Sequence, residues 1–162
     1  MSNDTLTERQ TPISIGEPAP DFSLLDQDRV EWSLRDQLAK GDVVLCFYPL
    51  SFTGICGAEM KCVSSEMQQW QDRGVQIVGI SCDSFAVQKA WAEQAGFAHP
   101  LLSDMHRQVC KAYGLYWPEM NVASRGTVIV RRDNAGEPLV RWAQAREVGD
   151  AMSLDEVLSQ LA

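Results

Sequence analysis

Residues 43–56 read Val-Val-Leu-Cys-Phe-Tyr-Pro-Leu-Ser-Phe-Thr-Gly-Ile-Cys, and this stretch decides how the chain folds. Its first six residues form a continuous apolar run, which is typical of a buried strand in a parallel sheet. Pro49 ends that strand because proline has no N–H to give to a sheet. An amphipathic pattern from about Ile55 to Arg73 then predicts a helix. The stretch therefore places Cys56 at the amino end of a helix, directly after a strand and a loop.

The position of Cys56 makes it a candidate nucleophile. Unpaired N–H groups and the positive end of the helix dipole both favour a thiolate at a helix N-terminus. The thiolate is the reactive form of cysteine. Thr53 supplies a hydroxyl one turn upstream, which can donate to the sulfur or to an oxygen substrate. The alternatives are a small buried side chain at Cys56 and a simple helix cap at Thr53.

Strand and helix patterns alternate along the rest of the chain. Short apolar runs predict strands at 21–24, 30–32, 75–81, 127–130 and 139–142, and a further short apolar piece lies at 100–102. Helical periodicity predicts further helices at 33–38, 84–95, 105–113 and 154–161, with caps at Ser33, at Asp83 or Ser84, and at Ser153. This order predicts an α/β fold with a central mixed β-sheet flanked by helices. Chemistry in such sheets gathers at the carboxyl ends of parallel strands, where the loop before Cys56 begins.

Length and charge restrict the class of protein. The 162 residues suggest a flexible N-terminal tail at 1–12 and one domain at 13–162. The net charge of −8 argues against nucleic acid and anionic membranes as partners, because both require basic surface. Neither a signal peptide nor a membrane span is recognisable, so a cytoplasmic location is expected.

The cysteines do not form a recognised framework. Their number is odd, and no Cys-x-x-Cys pair occurs among Cys46, Cys56, Cys62, Cys82 and Cys110. In a reducing compartment this pattern indicates free thiols rather than disulfides. With only two histidines and no compact Cys/His spacing, neither a metal site nor a cofactor is expected.

The chain resembles the peroxiredoxin family from about residue 15 to its end. Pro49, Thr53 and Cys56 match the family's motif of Pro, three residues, Thr, two residues and Cys. Glu59 matches an acidic residue one turn later, and Arg125 matches an arginine just before a strand. The segments around Thr53 and Arg125 resemble in particular the alkyl hydroperoxide reductase E type, described as one-cysteine peroxiredoxins. The resemblance implies a thioredoxin-like fold.

The resemblance also implies a thiol-dependent peroxidase that reduces hydrogen peroxide or organic hydroperoxides. Cys56 would be the peroxidatic cysteine and become a sulfenic acid. Arg125 and Thr53 would hold the peroxide, Pro49 would shield the thiolate from water, and Glu59 would orient Arg125. The other arginines are expected on the surface: Arg131, Arg132, Arg141 and Arg146. The alternative function is a peroxide sensor or relay that passes oxidation from Cys56 to a client protein.

The step that reduces the sulfenic acid stays open between two routes. The first uses an external thiol, with glutathione, a glutaredoxin-like protein or thioredoxin as reductant. The second uses Cys62 or Cys82 as a candidate resolving cysteine, and the role of Cys110 is undecided. Cys62 follows Cys56 by six helical positions, a rise of about 9 Å. A disulfide needs Cα atoms within about 7 Å, so the helix would have to unwind.

An apolar, aromatic loop follows at Leu115–Met120. Such a segment forms an interface or a pocket wall when exposed, and otherwise packs over the core. The family resemblance favours a homodimer contact close to the active site.

Overall fold

The computed structural model describes residues 3–161, and so Met1 and Ser2 of the predicted tail and Ala162 of the domain lie outside the described residues. The strands are β1 (Ser23–Leu25), β2 (Glu31–Ser33), β3 (Val43–Phe47), β4 (Gln76–Ser81), β5 (Leu101–Ser103), β6 (Tyr116–Trp117), β7 (Val122–Ala123), β8 (Gly126–Arg132) and β9 (Pro138–Ala145). The helices are α1 (Leu34–Leu38), α2 (Gly54–Ser65), α3 (Met67–Asp72), α4 (Phe85–Ala95), α5 (Gln108–Ala112) and α6 (Leu154–Gln160). Within residues 3–161, no helix has the length and apolarity required to cross a bilayer.

Seven strands form one mixed sheet in the order β2-β1-β5-β4-β3-β8-β9, which confirms the predicted α/β architecture. Strand β3 is parallel to β4 and antiparallel to β8. Phe47 at the end of β3 pairs with Gly126 at the start of β8. The residue before β8 is Arg125, so the sheet brings it to the edge where the loop leading to Cys56 begins.

The two faces of the sheet carry separate apolar clusters. Val43, Leu45 and Phe47 of β3 belong to a cluster that contains residues of α1 and α5, and we call this the α5 side. Val44, Cys46 and Tyr48 belong to a cluster with residues of α2, α3, α4 and α6, which we call the α2 side. Since side chains alternate along a strand, the fully apolar β3 serves both clusters. Cys56 lies on the α2 side.

The prediction of one helix from Ile55 to Arg73 is wrong, because the helix breaks at Glu66. Glu66 has φ −102° and ψ 16°, and it separates α2 from α3. The indole N–H of Trp70 donates to the carbonyl of Val63 over 3.1 Å. Trp70 is completely buried, and its hydrogen bond occupies a carbonyl near the end of α2. The packing of this one aromatic side chain thus accompanies the break in the helix, while residues of both α2 and α3 stay in the same apolar cluster.

The helix predicted at 105–113 is also shorter than expected, since α5 begins only at Gln108. Arg107 has φ 59°, in the left-handed region, and cannot continue a right-handed helix. The carboxylate of Asp104 accepts hydrogen bonds from the N–H groups of Val109 (3.2 Å) and Cys110 (2.8 Å). A tight turn at 104–107 therefore replaces the first helical turn. By contrast, the caps at Ser33, Ser84 and Ser153 are confirmed.

Residues 3–12 contact the domain at several points. The side chain of Asn3 exchanges two hydrogen bonds with the backbone of Ser23, at 2.7 and 3.1 Å. Leu6 packs against the α5 side, and the N–H of Arg9 donates to the carbonyl of Lys111. The flexibility expected for residues 1–12 stays a prediction.

A buried histidine gives the fold a testable pH dependence. His99 is fully buried, with Nδ1 2.7 Å from the Ser64 hydroxyl and Nε2 3.3 Å from the Met60 sulfur. The Ser64 oxygen already accepts from the N–H of Ala98, so its own proton is available to Nδ1. His99 is then neutral with its proton on Nε2. Burial lowers the pKa of His99 to about 4, from an ordinary value near 6.5.

We expect this histidine to destabilise the fold as the pH falls from about 6.5 to 4. In that interval the unfolded chain binds a proton that folded His99 does not, and the loss reaches about 3 kcal/mol. Urea unfolding of the protein and of His99→Gln, at pH 7 and pH 4.5, measures the difference. The exposed His106→Gln serves as the control. Equal pH dependence for His99→Gln and the unchanged protein would contradict the assignment.

Candidate active site

The loop between β3 and α2 sets the start of the helix. Phe52 has φ 61°, which is unfavourable for an aromatic residue and turns the chain sharply before Thr53. Thr53 is the N-cap by position, yet its side chain makes no capping hydrogen bond. Its hydroxyl instead donates to the carbonyl of Leu50 over 2.7 Å. The oxygen of Thr53 therefore keeps its lone pairs to accept a further hydrogen bond.

The loop is anchored on its other side to the end of β4 and to α4. Ser51 donates to the carboxylate of Asp83 through both its N–H and its hydroxyl, each at 2.9 Å. The hydroxyl of Tyr48 donates to the side-chain oxygen of Gln88, which is fully buried. These contacts fix the segment that carries Pro49 and Thr53.

Arg125 contacts Cys56 directly. One terminal nitrogen of the guanidinium donates to the Cys56 sulfur over 3.1 Å, and the other donates to Glu59 over 3.0 Å. The Nε–H donates to the carbonyl of Val148 over 3.0 Å. Cys56, Glu59 and Arg125 are each at most 2% exposed. The structure thus brings together the three charged or ionisable residues that the sequence singles out.

Glu59 accepts hydrogen bonds from three directions. Besides Arg125, its carboxylate contacts Arg146 over 3.3 Å and the N–H of Met152 over 2.6 Å. With Cys56 ionised, the thiolate and the Glu59 carboxylate balance the two guanidinium groups. A buried cluster without net charge avoids the large cost of an unpaired ion. The environment is therefore suited to a thiolate.

The prediction that Arg146 lies on the surface is wrong, since its side chain is only 7% exposed. Ala145 pairs with Gly126 at the open end of the β8–β9 hairpin, and the N–H of Arg146 donates to the carbonyl of Arg125. Counting the register from the turn at Asp133 would pair Arg125 with Ala145, and only the shift in register between Ile129 and Val130 brings Arg125 beside Arg146. The sequence motif alone gives no such signal.

A pocket of about 400 Å³ opens beside the sulfur. Four of the predicted site residues line it, and the rest of the wall is mostly apolar: Pro49, Thr53, Cys56 and Arg125, with Leu50, Gly54, Ile55, Trp117, Met120 and Val148. Glu59 lies behind Arg125 and does not line the pocket. The loop Leu115–Met120 thus contributes two side chains to the pocket wall, which was one of its expected roles.

The other cysteines differ in their surroundings. Cys46 is fully buried, and burial raises the pKa of its thiol. Cys62 is exposed on α2, which runs unbroken from Cys56 to Cys62. Cys82 lies on the α5 side, across the sheet from Cys56, and its sulfur is 3.8 Å from that of Cys110. Neither Cys62 nor Cys82 is placed to meet the Cys56 sulfur without a rearrangement.

Comparisons with known proteins identify the family of the chain. Residues 15–135 match the model of the AhpC/TSA family. The chain is 34% identical over 140 residues to alkyl hydroperoxide reductase E of Mycobacterium tuberculosis, covering 85% of this chain and 89% of that protein.

Solved structures show the same fold. The crystal structure of peroxidoxin BcpB from Mycobacterium tuberculosis superposes with a TM-score of 0.82 at 27% identity, over 92% of this chain and 96% of that one. Reduced 2-Cys peroxiredoxin of Plasmodium vivax gives a TM-score of 0.80 at 28% identity, over 93% and 81% of the two chains. The expected thioredoxin-like fold is confirmed by these likenesses. The chain therefore belongs to the AhpC/TSA family and is a peroxiredoxin.

Proposed function

We propose that this peroxiredoxin reduces hydroperoxides through the thiolate of Cys56. The observation that carries the proposal is the 3.1 Å contact between the Arg125 guanidinium and the Cys56 sulfur at the base of an open pocket. The thiolate attacks one peroxide oxygen and the O–O bond breaks. The sulfur is oxidised to a sulfenic acid, and the second oxygen leaves as hydroxide or alkoxide, which takes a proton from solvent to become water or an alcohol.

The pocket residues give each part of this step a partner. Arg125 stabilises the negative charge, which moves from the sulfur to the departing oxygen. The hydroxyl of Thr53 donates its proton to the carbonyl of Leu50, so its oxygen can accept a hydrogen bond from the peroxide O–H. Pro49 is buried and closes one side of the pocket. Glu59 fixes the orientation of Arg125 from behind.

The apolar wall of the pocket favours an organic hydroperoxide over hydrogen peroxide. Trp117 and Met120 offer surface to an alkyl or aryl group, from which water is displaced. Hydrogen peroxide has no group that could use this surface.

Trp117→Ala is expected to lower kcat/KM for cumene hydroperoxide about 10-fold relative to its effect on hydrogen peroxide. Trp117→Phe, which keeps an apolar ring, should retain most of the preference. Initial rates with both peroxides for the two variants measure this ratio. Equal losses for both substrates would show that the wall does not select the organic group.

An external thiol completes the cycle. Cys62 lies on an unbroken helix with Cys56, and Cys82 lies across the sheet, which favours a reductant from solution. Glutathione, a glutaredoxin-like protein and thioredoxin are the candidates. Cys62 and Cys82 remain the candidates for an internal route, which requires local unfolding.

Turnover separates the enzyme from a sensor or relay. With an external thiol, the enzyme consumes many equivalents of peroxide, whereas a sensor stops near one equivalent unless its client is present. Mass spectrometry after one equivalent of peroxide is expected to show a single oxidised sulfur at Cys56. A disulfide to Cys62 or Cys82 would support the internal route instead, and consumption limited to one equivalent would contradict the peroxidase.

We also propose a homodimer and a cytoplasmic location. The exposed side chain of Met120 and the half-buried Trp117 lie at the rim of the pocket, where a second copy would cover apolar surface. Free cysteines fit a reducing compartment. Light scattering coupled to size exclusion is expected to give twice the mass of one chain, and a monomer would contradict the dimer.

A further inference from the structure

A second sulfur site lies outside the pocket. The sulfurs of Cys82 and Cys110 are 3.8 Å apart, and a carboxylate oxygen of Asp104 lies within 4.8 Å of both. Cys82 follows the end of β4, Asp104 follows the end of β5, and Cys110 belongs to α5. The parallel pairing of β4 and β5 brings together three residues that no short sequence motif connects.

The spacing of these atoms is that of ligands around a tetrahedral metal ion. Zinc binds thiolate sulfur at about 2.3 Å, which places two sulfurs on one tetrahedral ion about 3.8 Å apart. The sulfurs of Cys82 and Cys110 already have this separation. Two thiolates and a carboxylate form a donor set that suits zinc and disfavours magnesium or calcium, which take only oxygen ligands.

The carboxylate of Asp104 is held in place. One oxygen accepts from the N–H of Val109 and the other from the N–H of Cys110, at 3.2 and 2.8 Å. Each oxygen keeps a further lone pair, and backbone hydrogen bonds of this kind orient metal ligands. Asp104 is 1% exposed, whereas Cys82 is 8% exposed. The cluster therefore lies nearest to solvent on the Cys82 side.

The charges distinguish this cluster from the site at Cys56. Cys56 has a guanidinium in contact with its sulfur, while Cys82 and Cys110 face each other and a carboxylate. Ionising both thiols beside Asp104 brings together three negative charges, of which a divalent cation would offset two. The arrangement favours a cation over a disulfide.

We propose that Cys82, Asp104 and Cys110 bind one zinc ion, with a water molecule as the fourth ligand. Binding replaces the two thiol protons, so that each zinc ion releases two protons to solution. No electrons are transferred, and a Cys82 sulfur held by zinc would not resolve the sulfenic acid of Cys56. The ion would join β4, the turn after β5 and α5 on the α5 side of the sheet.

Cobalt titration of the full-length Cys56→Ser protein tests this site, because removal of the Cys56 thiol excludes that sulfur as a ligand. We expect saturation at one Co²⁺ per chain, with thiolate-to-cobalt charge-transfer bands and the visible bands of a tetrahedral ion. Zinc should displace the cobalt. Replacing either Cys82 or Cys110 with Ser on this background should abolish the bands, and Asp104→Asn should weaken binding at least about 10-fold. Cys62→Ser, which removes an exposed sulfur, should change nothing.

A second measurement leaves Cys82, Asp104 and Cys110 unsubstituted. Zinc added to the Cys56→Ser protein is expected to slow alkylation of Cys82 and Cys110 in urea-free buffer, but not that of Cys62. Affinity should rise with pH because protons compete for the thiolates. The proposal is overturned if no saturable cobalt spectrum forms, if the spectrum survives loss of both Cys82 and Cys110, or if zinc fails to protect these thiols. A Cys82–Cys110 disulfide formed equally fast with and without zinc would also overturn it.

Discussion

Cys56→Ser is expected to reduce peroxide consumption to the rate of buffer with reductant. Serine has nearly the shape of cysteine, so the pocket and the contacts of Arg125 with Glu59 and Val148 should persist. Its hydroxyl, however, does not ionise near neutral pH and cannot take up the oxygen atom as a sulfenic acid. An electrode or a dye for residual peroxide measures the loss.

The remaining cysteines provide the controls for this experiment. Cys46→Ser changes a buried thiol whose pKa is raised by burial, and Cys62→Ser changes an exposed one. Both should retain peroxide consumption with an external thiol. Turnover that persists in Cys56→Ser, at a rate near that of the unchanged protein, would remove Cys56 from the mechanism.

Arg125→Met is expected to slow the oxidation of Cys56 by about 10²–10³, the usual effect of removing one donor that stabilises developing charge. Methionine fills much of the space and keeps no hydrogen-bond donor. The variant also leaves Glu59 with Arg146 and the N–H of Met152 as partners, and breaking a buried ion pair costs about 3–5 kcal/mol. Rapid-mixing fluorescence follows the oxidation, and urea unfolding follows the stability.

Two further variants separate the effect on the sulfur from the effect on the fold. Arg146→Met removes the second arginine that contacts Glu59 but leaves the contact between Arg125 and Cys56, so it should lose stability with a smaller loss of rate. Arg132→Met changes an exposed arginine of β8 and should alter neither. An oxidation rate for Arg125→Met equal to that of Arg132→Met would show that the guanidinium does not stabilise the transition state.

Local chemistry allowed much of the fold to be predicted from the sequence. Caps at Ser33, Ser84 and Ser153 act within one helical turn, and the apolar run of β3 needs no partner to be recognised. The break at Glu66 was not predictable in this way, because it depends on where the indole of Trp70 packs in the finished core.

The residues of the candidate site also divide into those that the local sequence predicts and those that only the folded structure brings together. Cys56, Thr53 and Pro49 lie in one short segment, and a family motif adds Arg125 from the start of β8. Arg146 was missed because its role depends on the register of the β8–β9 hairpin. The cluster of Cys82 and Cys110 was missed because only the pairing of β4 with β5 and the packing of α5 bring its members together.

The carbonyl of Val148 and the N–H of Met152 extend the reaction centre into the last fifteen residues of the fold. These two backbone groups position the Arg125 guanidinium and the Glu59 carboxylate, although neither Val148 nor Met152 has an ionisable side chain. Truncation of the chain before Val148 would remove both hydrogen bonds, and we expect it to lower the reactivity of Cys56 as much as a change in the pocket would. At Val148 and Met152 the path of the main chain, rather than the side chain, supplies these two hydrogen bonds.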